Sequence, residues 1–419
     1  MSLHYDDLET RAPNVREADL MARLPQQIAH AQQHSAAFAA ILQGVSAAHI
    51  TSRAALAALP VTRKYELLER QQAERSKPAG HGVFGGFNAV TLGKTMPRLF
   101  ASPGPIYEPE GQRPDYWRMA RAIYAAGFRA GELVHNSFSY HFVPAGSMME
   151  SGAQALGATV FPAGTGQTEQ QVQAMADLRP NGYIGTPSFL KIILEKAEAQ
   201  GQKIASLTKA LVSGEACPPS LRDWFNAHGV AAYQCYATAD LGLIAYETSA
   251  REGLVLDENV IVEIVRPGTG DPVPEGEVGE LVVPTLNPDY PLIRFGTGDL
   301  SAVLPGPCPT GRTNIRIKGW MGRADQTTKV RGMFVHPGQV AEIVKRFPQI
   351  EKARLVVTGA MANDQMTLQV ETRELGDGLA AQIAEATRDV TKLRAEVTLL
   401  RPGELPNDGK VIEDARSYE

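Results

Sequence analysis

Apolar residues along the N-terminal stretch, from about residue 5 to 58, recur at helical spacing, with Ala-rich segments around Ile28 to Leu42 and Ala54 to Leu59. This pattern predicts surface helices. The chain then becomes rich in Gly and β-formers from Ala79 to Phe100, which predicts short strands, and a helix-like run follows from Tyr116 to Ala126. The segment LVHNSFSYHFVPAGSMMESGAQALGATVFPAG reads as apolar strand, Gly-punctuated helix and second strand, the βαβ pattern of an α/β sheet. Residues 170 to 194 repeat a helix, turn and strand set in which Thr186-Pro187-Ser188 opens a helix, with Ser188 as the expected cap. A strand then ends in Ser213-Gly214-Glu215 ahead of another helix, and residues 253 to 283 read as strands joined by turns.

Beyond Asp325 the pattern changes to short strands and two amphipathic helices, one from about Pro337 to Phe347 and the other from Leu379 to Leu393. Those last residues, about 95 of them, suffice for a separate α+β domain. The expected architecture is α/β, with a large domain over residues 1–324 and a small one over 325–419.

Composition narrows the class. The chain has 419 residues, 43% hydrophobic and 21% charged, enough to bury a large core. A net charge of -5 gives no footprint for nucleic acid or an anionic membrane, so a small anionic ligand has to be held by local Arg, Lys and backbone amides. No apolar run reaches the roughly 18 residues of a spanning helix. The polar, acidic start MSLHYDDLETRAP lacks the basic and apolar regions of a signal peptide, and the cytoplasm is the expected compartment. Cys217, Cys235 and Cys308 lie far apart with no neighbouring His pair, which speaks against zinc and for reduced, structural thiols.

Candidate chemistry concentrates between Tyr290 and Val335. Asp299 follows Thr297-Gly298 at the end of an apolar run, a charged acceptor at a loop mouth. An ionised carboxylate offers two oxygens and the vicinal diol of a ribose offers two donors. Arg323, a planar five-donor fork, suits the same sugar and its phosphate. The chain then turns at Asp325 and re-enters a basic segment, Lys329-Val330-Arg331-Gly332, with the look of a hinge carrying charge.

In this order, the blocks YPLIRFGTGDL and IRIKGWMGRADQTTKVRGMFV resemble the adenylate-forming superfamily of acyl-coenzyme A ligases, most nearly the phenylacetate-coenzyme A ligase family. The resemblance runs from Leu59-Pro60-x-Thr62-x-Lys64 to the C-terminus, with Lys64 itself read as a solvated charge at a helix start. It implies a large AMP-binding domain with a mobile C-terminal lid, using ATP, Mg2+ and coenzyme A on a small aromatic or otherwise apolar carboxylic acid. By resemblance, Asp299 holds the ribose with Arg323 beside it, and Asp325 is the hinge. Gly214 and Glu215 lie along the adenine. Tyr236, Ala237 and Thr238 match the adenine- and phosphate-binding strand, and Asp240 is the Mg2+ ligand. Phe138, Tyr140, His141 and Phe142 line the acyl pocket, while Lys329, Arg331 and Gly332 face coenzyme A. Lys410, in LPNDGK, is the catalytic lysine of the first step. Glu247 matches a further acid of the family.

Two positions depart from the family. Where it carries a Ser/Thr/Gly-rich phosphate loop ending in Lys, this chain reads ASPGPIYEPE, keeping Ser102 and Gly104 but adding Pro103, Pro105, Pro109 and Glu108. Each Pro removes an N–H donor, so the loop reads as a poor phosphate cradle. Ala239 stands where the family has a hydroxyl, with Thr238 adjacent. These departures motivate one alternative to a coenzyme A ligase, a nucleotide or acyl-adenylate binding protein with little ligase activity; a second, an adenylating enzyme that loads a carrier protein, stays open because a carrier's pantetheine arm presents the same thiol as coenzyme A. By resemblance a homodimer is expected, and the net charge of -5 and the absence of a long apolar run lead to no expected nucleic acid or membrane partner.

Overall fold

The computed structural model describes residues 3–75, 82–324, 326, 328–330, 333–359 and 364–416. Contacts divide the chain into two compact units. The first comprises Met1–Val262, Val283–Phe295 and Leu304–Trp320; the second comprises Glu263–Val282, Gly296–Val303 and Met321–Glu419. The second unit thus takes in two segments that precede the sequence boundary at 324/325.

The first unit is built on parallel strands. Leu133–Asn136 pairs in parallel with Thr159–Pro162 on one side and with Gly182–Gly185 on the other. Lys209–Val212 and Ala231–Thr238 continue the parallel run. Gly242–Glu247, Leu254–Leu256 and Arg316–Ile317 extend it antiparallel. Helices Ala145–Ala155, Thr168–Leu178, Pro187–Ala199 and Pro219–Ala227 make the crossovers. Both faces of such a sheet are covered, so its strands are buried throughout rather than amphipathic. Alternate residues accordingly feed different cores. Val134, Ile184 and Leu211 pack with Phe128, Met148 and Met149, whereas Tyr183, Ala210 and Val212 pack with Val172, Leu190 and Phe225.

The N-terminal helical periodicity is realised as one long helix, Pro13–His34, with Leu20, Leu24, Ile28 and Ala31 buried, followed by the short helices Ala36–Ile41 and Arg53–Ala57. Two local readings need correction. Thr186, not Ser188, caps the helix Pro187–Ala199, accepting the Phe189 N–H, because Pro187 already occupies the first helical position. Between residues 82 and 97 the chain forms a short 3-10 turn at Gly82–Phe84 and loops, and among the described residues of the stretch predicted as strands a strand starts only at Arg98.

In the second unit, strands Ile350–Thr358 and Gln365–Thr372 form an antiparallel pair flanked in parallel by Ile412–Asp414 and Glu396–Leu400. Helices Pro337–Lys345 and Asp377–Thr391 bury Val340, Ile343 and Ile383 with Leu355, Leu368 and Val370 of that sheet. This is the α+β pattern expected beyond Asp325. Among the described residues no helix is long and apolar enough to cross a membrane, and the three cysteines are free and buried.

Candidate functional site

The parallel strands of the first unit run in an order in which consecutive connections leave Leu133–Asn136 in opposite directions, toward Thr159–Pro162 and then back across to Gly182–Gly185. Ligands of open α/β sheets sit outside the carboxyl ends of strands at such a reversal. The sequence-predicted residues of this unit follow those carboxyl ends: Phe138 to Phe142, Gly214-Glu215, and Tyr236 to Asp240. Side chains tie the neighbouring loops together. Ser137 Oγ donates to Tyr183 Oη at 2.5 Å, Ser213 Oγ donates to the Cys235 carbonyl at 2.8 Å, and Ser188 Oγ donates to Glu215 at 2.9 Å. Gly214 has φ +80, a left-handed backbone that favours glycine, and a Cβ there would stand 3.7 Å from Phe138 and 3.8 Å from Thr186.

Tyr236, Ala237 and Thr238 lie at the end of Ala231–Thr238, with an irregularity in register between Tyr236 and Ala237. A bulge re-aims side chains at a strand end. The Thr238 hydroxyl accepts the Leu241 N–H at 3.1 Å, leaving its own O–H to donate elsewhere. Glu247 is buried and ion-paired with Arg222 at 2.6 Å.

Asp240 is 3% exposed. Its Oδ2 accepts from Lys64 Nζ at 3.0 Å, while Oδ1 is buried without a hydrogen-bond partner. Lys64 is therefore not a solvated helix-start charge: it opens the helix Lys64–Arg75 and reaches a carboxylate 176 residues away. No local sequence signal could have shown that pairing. Among the described residues no group of three or more His, Cys, Asp and Glu side chains is placed to hold a metal. Mg2+ usually takes only one or two carboxylates, the rest being water and phosphate oxygens, and the orphaned Oδ1 of Asp240 suits that role.

Residues 98–110 form a β-hairpin rather than an open loop. Arg98–Ser102 pairs antiparallel with Ile106–Glu110, the pairs running from Arg98 with Glu110 to Ser102 with Ile106. Pro103, Gly104 and Pro105 make the exposed tip, joined by a cis bond between Gly104 and Pro105. Ser102 and Glu108 are both buried, and the Glu108 carboxyl accepts the Ser102 N–H at 3.2 Å and the Ser102 hydroxyl at 2.5 Å. Burial, reinforced by the neighbouring charge of Asp240, pushes the Glu108 carboxyl up to about 8. Tyr290, fully buried, has no hydrogen-bond partner for its hydroxyl, and burial together with Asp240 and Glu108 raises its pKa further.

The four aromatic candidates have different fates. Phe138 is in the core; the Tyr140 hydroxyl donates to Glu150 at 2.7 Å and accepts from Asn136 at 2.8 Å. His141 is exposed, and Phe142 is 82% exposed with φ +61.

In the second unit, Asp299 and Arg323 are brought together by backbone and side chain. They form an isolated antiparallel bridge, and Arg323 Nη1 donates to Asp299 Oδ1 at 2.9 Å. Gly298, with φ +73, leaves the room that Arg323 uses, since a Cβ there would lie 2.7 Å from Nη2. Lys410 is half-exposed, and its Nζ meets Glu413 at 3.4 Å. The backbone around it is firmly held. Gln326 donates to the Gly409 carbonyl at 3.1 Å and accepts the N–H of Val411 and Ile412, while buried Arg354 donates to the carbonyls of Lys410 and Pro406 and pairs with Asp408 and Glu413. Gly409 has φ +70 and would clash with Val278 if it carried a Cβ, at 2.6 Å. Gln326 and Arg354 were not candidates from sequence, because their partners are main-chain groups and, for Arg354, carboxylates more than 50 residues away, which leave no local pattern. Asp325, Arg331 and Gly332 lie outside the described residues, and of Lys329 only the backbone in the strand Thr328–Val330 is described.

Residues 117–286 match the AMP-binding enzymes, and residues 332–414 match the AMP-binding enzyme C-terminal domain. The phenylacetate-coenzyme A ligase of Thermus thermophilus is 32% identical over 69% of this chain and 71% of its own length. That of Aromatoleum evansii is 31% identical over 78% of this chain and 75% of its own. A solved structure of 2-hydroxyisobutyryl-CoA ligase in the postadenylation state shares the fold, with a TM-score of 0.73 over 99% of this chain and 92% of that one at 24% identity. The chain belongs to the phenylacetate-coenzyme A ligase family of adenylate-forming, AMP-binding enzymes.

Proposed function

We propose that the protein is an AMP-forming acid–thiol ligase that activates an aromatic or otherwise apolar carboxylic acid with ATP and passes it to coenzyme A. Family membership with two relatives above 30% identity, each matched over most of its length, carries the reading. The Asp299–Arg323 pair is the geometric feature that supports it.

In the first step a carboxylate oxygen of the acid attacks the α-phosphorus of ATP, the bond to the β-phosphate breaks, and pyrophosphate leaves. In the second, the thiolate of coenzyme A attacks the acyl carbon, the mixed anhydride opens, and AMP leaves. Asp299 accepts the ribose hydroxyls, with Arg323 fixing its carboxylate. Gly214, Glu215 and Tyr236 border the adenine. Thr238 donates to the α-phosphate in place of the hydroxyl lost at Ala239, and Ser102 with Gly104 forms the triphosphate end. Lys410 neutralises charge that builds as two anions join, the kind of stabilisation worth several kcal/mol where water is excluded. Asp240 would hold Mg2+, which when bound offsets phosphate charge. The acyl pocket is assigned to Phe138 and Tyr140, with His141 and Phe142 at its rim. Asp325 serves as hinge, and Lys329, Arg331 and Gly332 serve the coenzyme A step. A cytoplasmic setting goes with this reading, since ATP and coenzyme A are its substrates.

The test is direct: incubate the protein with ATP, Mg2+, coenzyme A and a panel of aryl and alkyl acids, and read thioester and AMP by mass. The reading predicts acid-dependent thioester and AMP in equal amounts. AMP without thioester would remove coenzyme A as acceptor, and neither product with any acid would contradict the ligase.

A further inference from the structure

The hairpin Arg98–Ser102/Ile106–Glu110 carries an internal contact that bears on the nucleotide. A phosphate oxygen at a loop is held by backbone N–H groups and hydroxyls. Ser102 has one of each, and both are already accepted by the two carboxyl oxygens of Glu108, from the N–H to Oε2 and from the hydroxyl to Oε1. The tip offers little else, because Pro103 and Pro105 have no N–H and Gly104 alone supplies one. Glu108 is 0% exposed and Ser102 4%, so the contact sits in the packed body of the hairpin rather than at its solvent edge. Arg75, outside the hairpin, donates to the Pro105 carbonyl and to Gln71, and Gln71 in turn exchanges hydrogen bonds with the backbone of Tyr107. The strand bearing Glu108 is thereby pinned to the helix Lys64–Arg75.

We infer that Glu108 is a specificity-determining residue, an internal stand-in for phosphate whose carboxyl occupies the Ser102 donors and so sets the protein's preference between AMP and ATP. The inference rests on the adenylating reading of the site. AMP and an acyl-adenylate end at the α-phosphate and leave the Ser102–Glu108 contact intact. ATP gains the Ser102 donors only by breaking that contact, and it brings its negative charge toward the buried carboxylate of Asp240. The same contact eases departure of pyrophosphate, since Glu108 takes back the donors as the leaving group goes.

Titration calorimetry with AMP, and separately with ATP and Mg2+ in the absence of acid, tests this on the full chain. Wild type is expected to bind AMP at least as tightly as ATP. With the titrations run above pH 8, where the Glu108 carboxyl is ionised, Glu108→Gln keeps the shape but has one acceptor oxygen instead of two, so it frees a Ser102 donor. It should tighten ATP about tenfold, the worth of roughly one hydrogen bond, with AMP affinity unchanged. The unchanged AMP affinity also reports that the variant is folded. In Glu108→Gln/Ser102→Ala the gain should vanish, because the freed hydroxyl is gone. Equal changes for both nucleotides, or none for ATP, would overturn the inference while leaving the ligase standing. Binding of neither nucleotide by any of the proteins would sink the adenylating reading and this inference with it.

Discussion

Glu108 sits in surroundings that oppose its charge, and this has a consequence for stability. Its carboxyl is raised from 4.5 to about 8, chiefly by burial and next by Asp240. Between those values the folded state holds a proton that the unfolded chain has released. Stability therefore falls as pH rises from about 4.5 toward 8 and levels off above. Glu108→Gln does not titrate, so its melting temperature should gain on wild type as pH is raised from 5 to 8.5; a constant offset across that range would mean the carboxyl is not held protonated. Asp299 offers a second residue-scale prediction. Asp299→Ala removes the acceptor that Arg323 fixes and should weaken AMP binding by about tenfold or more, as loss of a charge-assisted pair implies. Affinity unchanged within error would remove Asp299 from the ribose. Asp299, Arg323 and Lys410 were candidates on the sequence because each stands in a local motif, and the fold brings the first two into contact. Lys64 was not: its identity is visible, but the buried Asp240 that makes it an ion pair lies far along the chain.

Secondary-structure elements were legible wherever burial follows one period. The βαβ segment from Leu133 to Pro162 and the helices after Asp325 stand close to where their patterns put them. The hairpin at residues 98–110 was not, because three prolines and a glycine read as loop. Pro109 is nonetheless accommodated opposite Leu99 in a two-stranded pair, as proline can be in an edge strand. Helix Pro187–Ala199 buries Leu190 completely against Val172, Val212 and Phe225, so Leu190→Ala should cost about 2–5 kcal/mol in urea unfolding. A cost under about 1 kcal/mol would place the helix outside the core. The segment carrying Lys410 depends on Gln326 and Arg354 for its backbone. Gln326→Leu keeps the size but loses those bonds, and should lower kcat for pyrophosphate release several-fold while leaving AMP affinity unchanged. If kcat stays at the wild-type value, the clamp is structural only.

At the scale of the whole molecule, the change of pattern after Asp325 announced a second body, and the sheet Ile350–Thr358, Gln365–Thr372, Glu396–Leu400 and Ile412–Asp414 is that body's frame. The segments Glu263–Val282 and Gly296–Val303 join it through contacts such as Leu300 and Val278 with Ala324, which pair residues distant in sequence and so leave no local mark. This division leaves Tyr236 and Asp240 in one unit and Asp299, Arg323 and Lys410 in the other. We propose that both sets serve one adenylation reaction. The measurement that tests it most directly is pyrophosphate release from ATP and Mg2+ with a panel of aryl and alkyl carboxylic acids, comparing wild type with Lys410→Ala. Acid-dependent release by wild type is expected, with a loss of about 10²-fold or more in kcat for the variant, the scale of removing one preorganised charge from a transition state. Release that is independent of added acid, or equal in the two proteins, would contradict it.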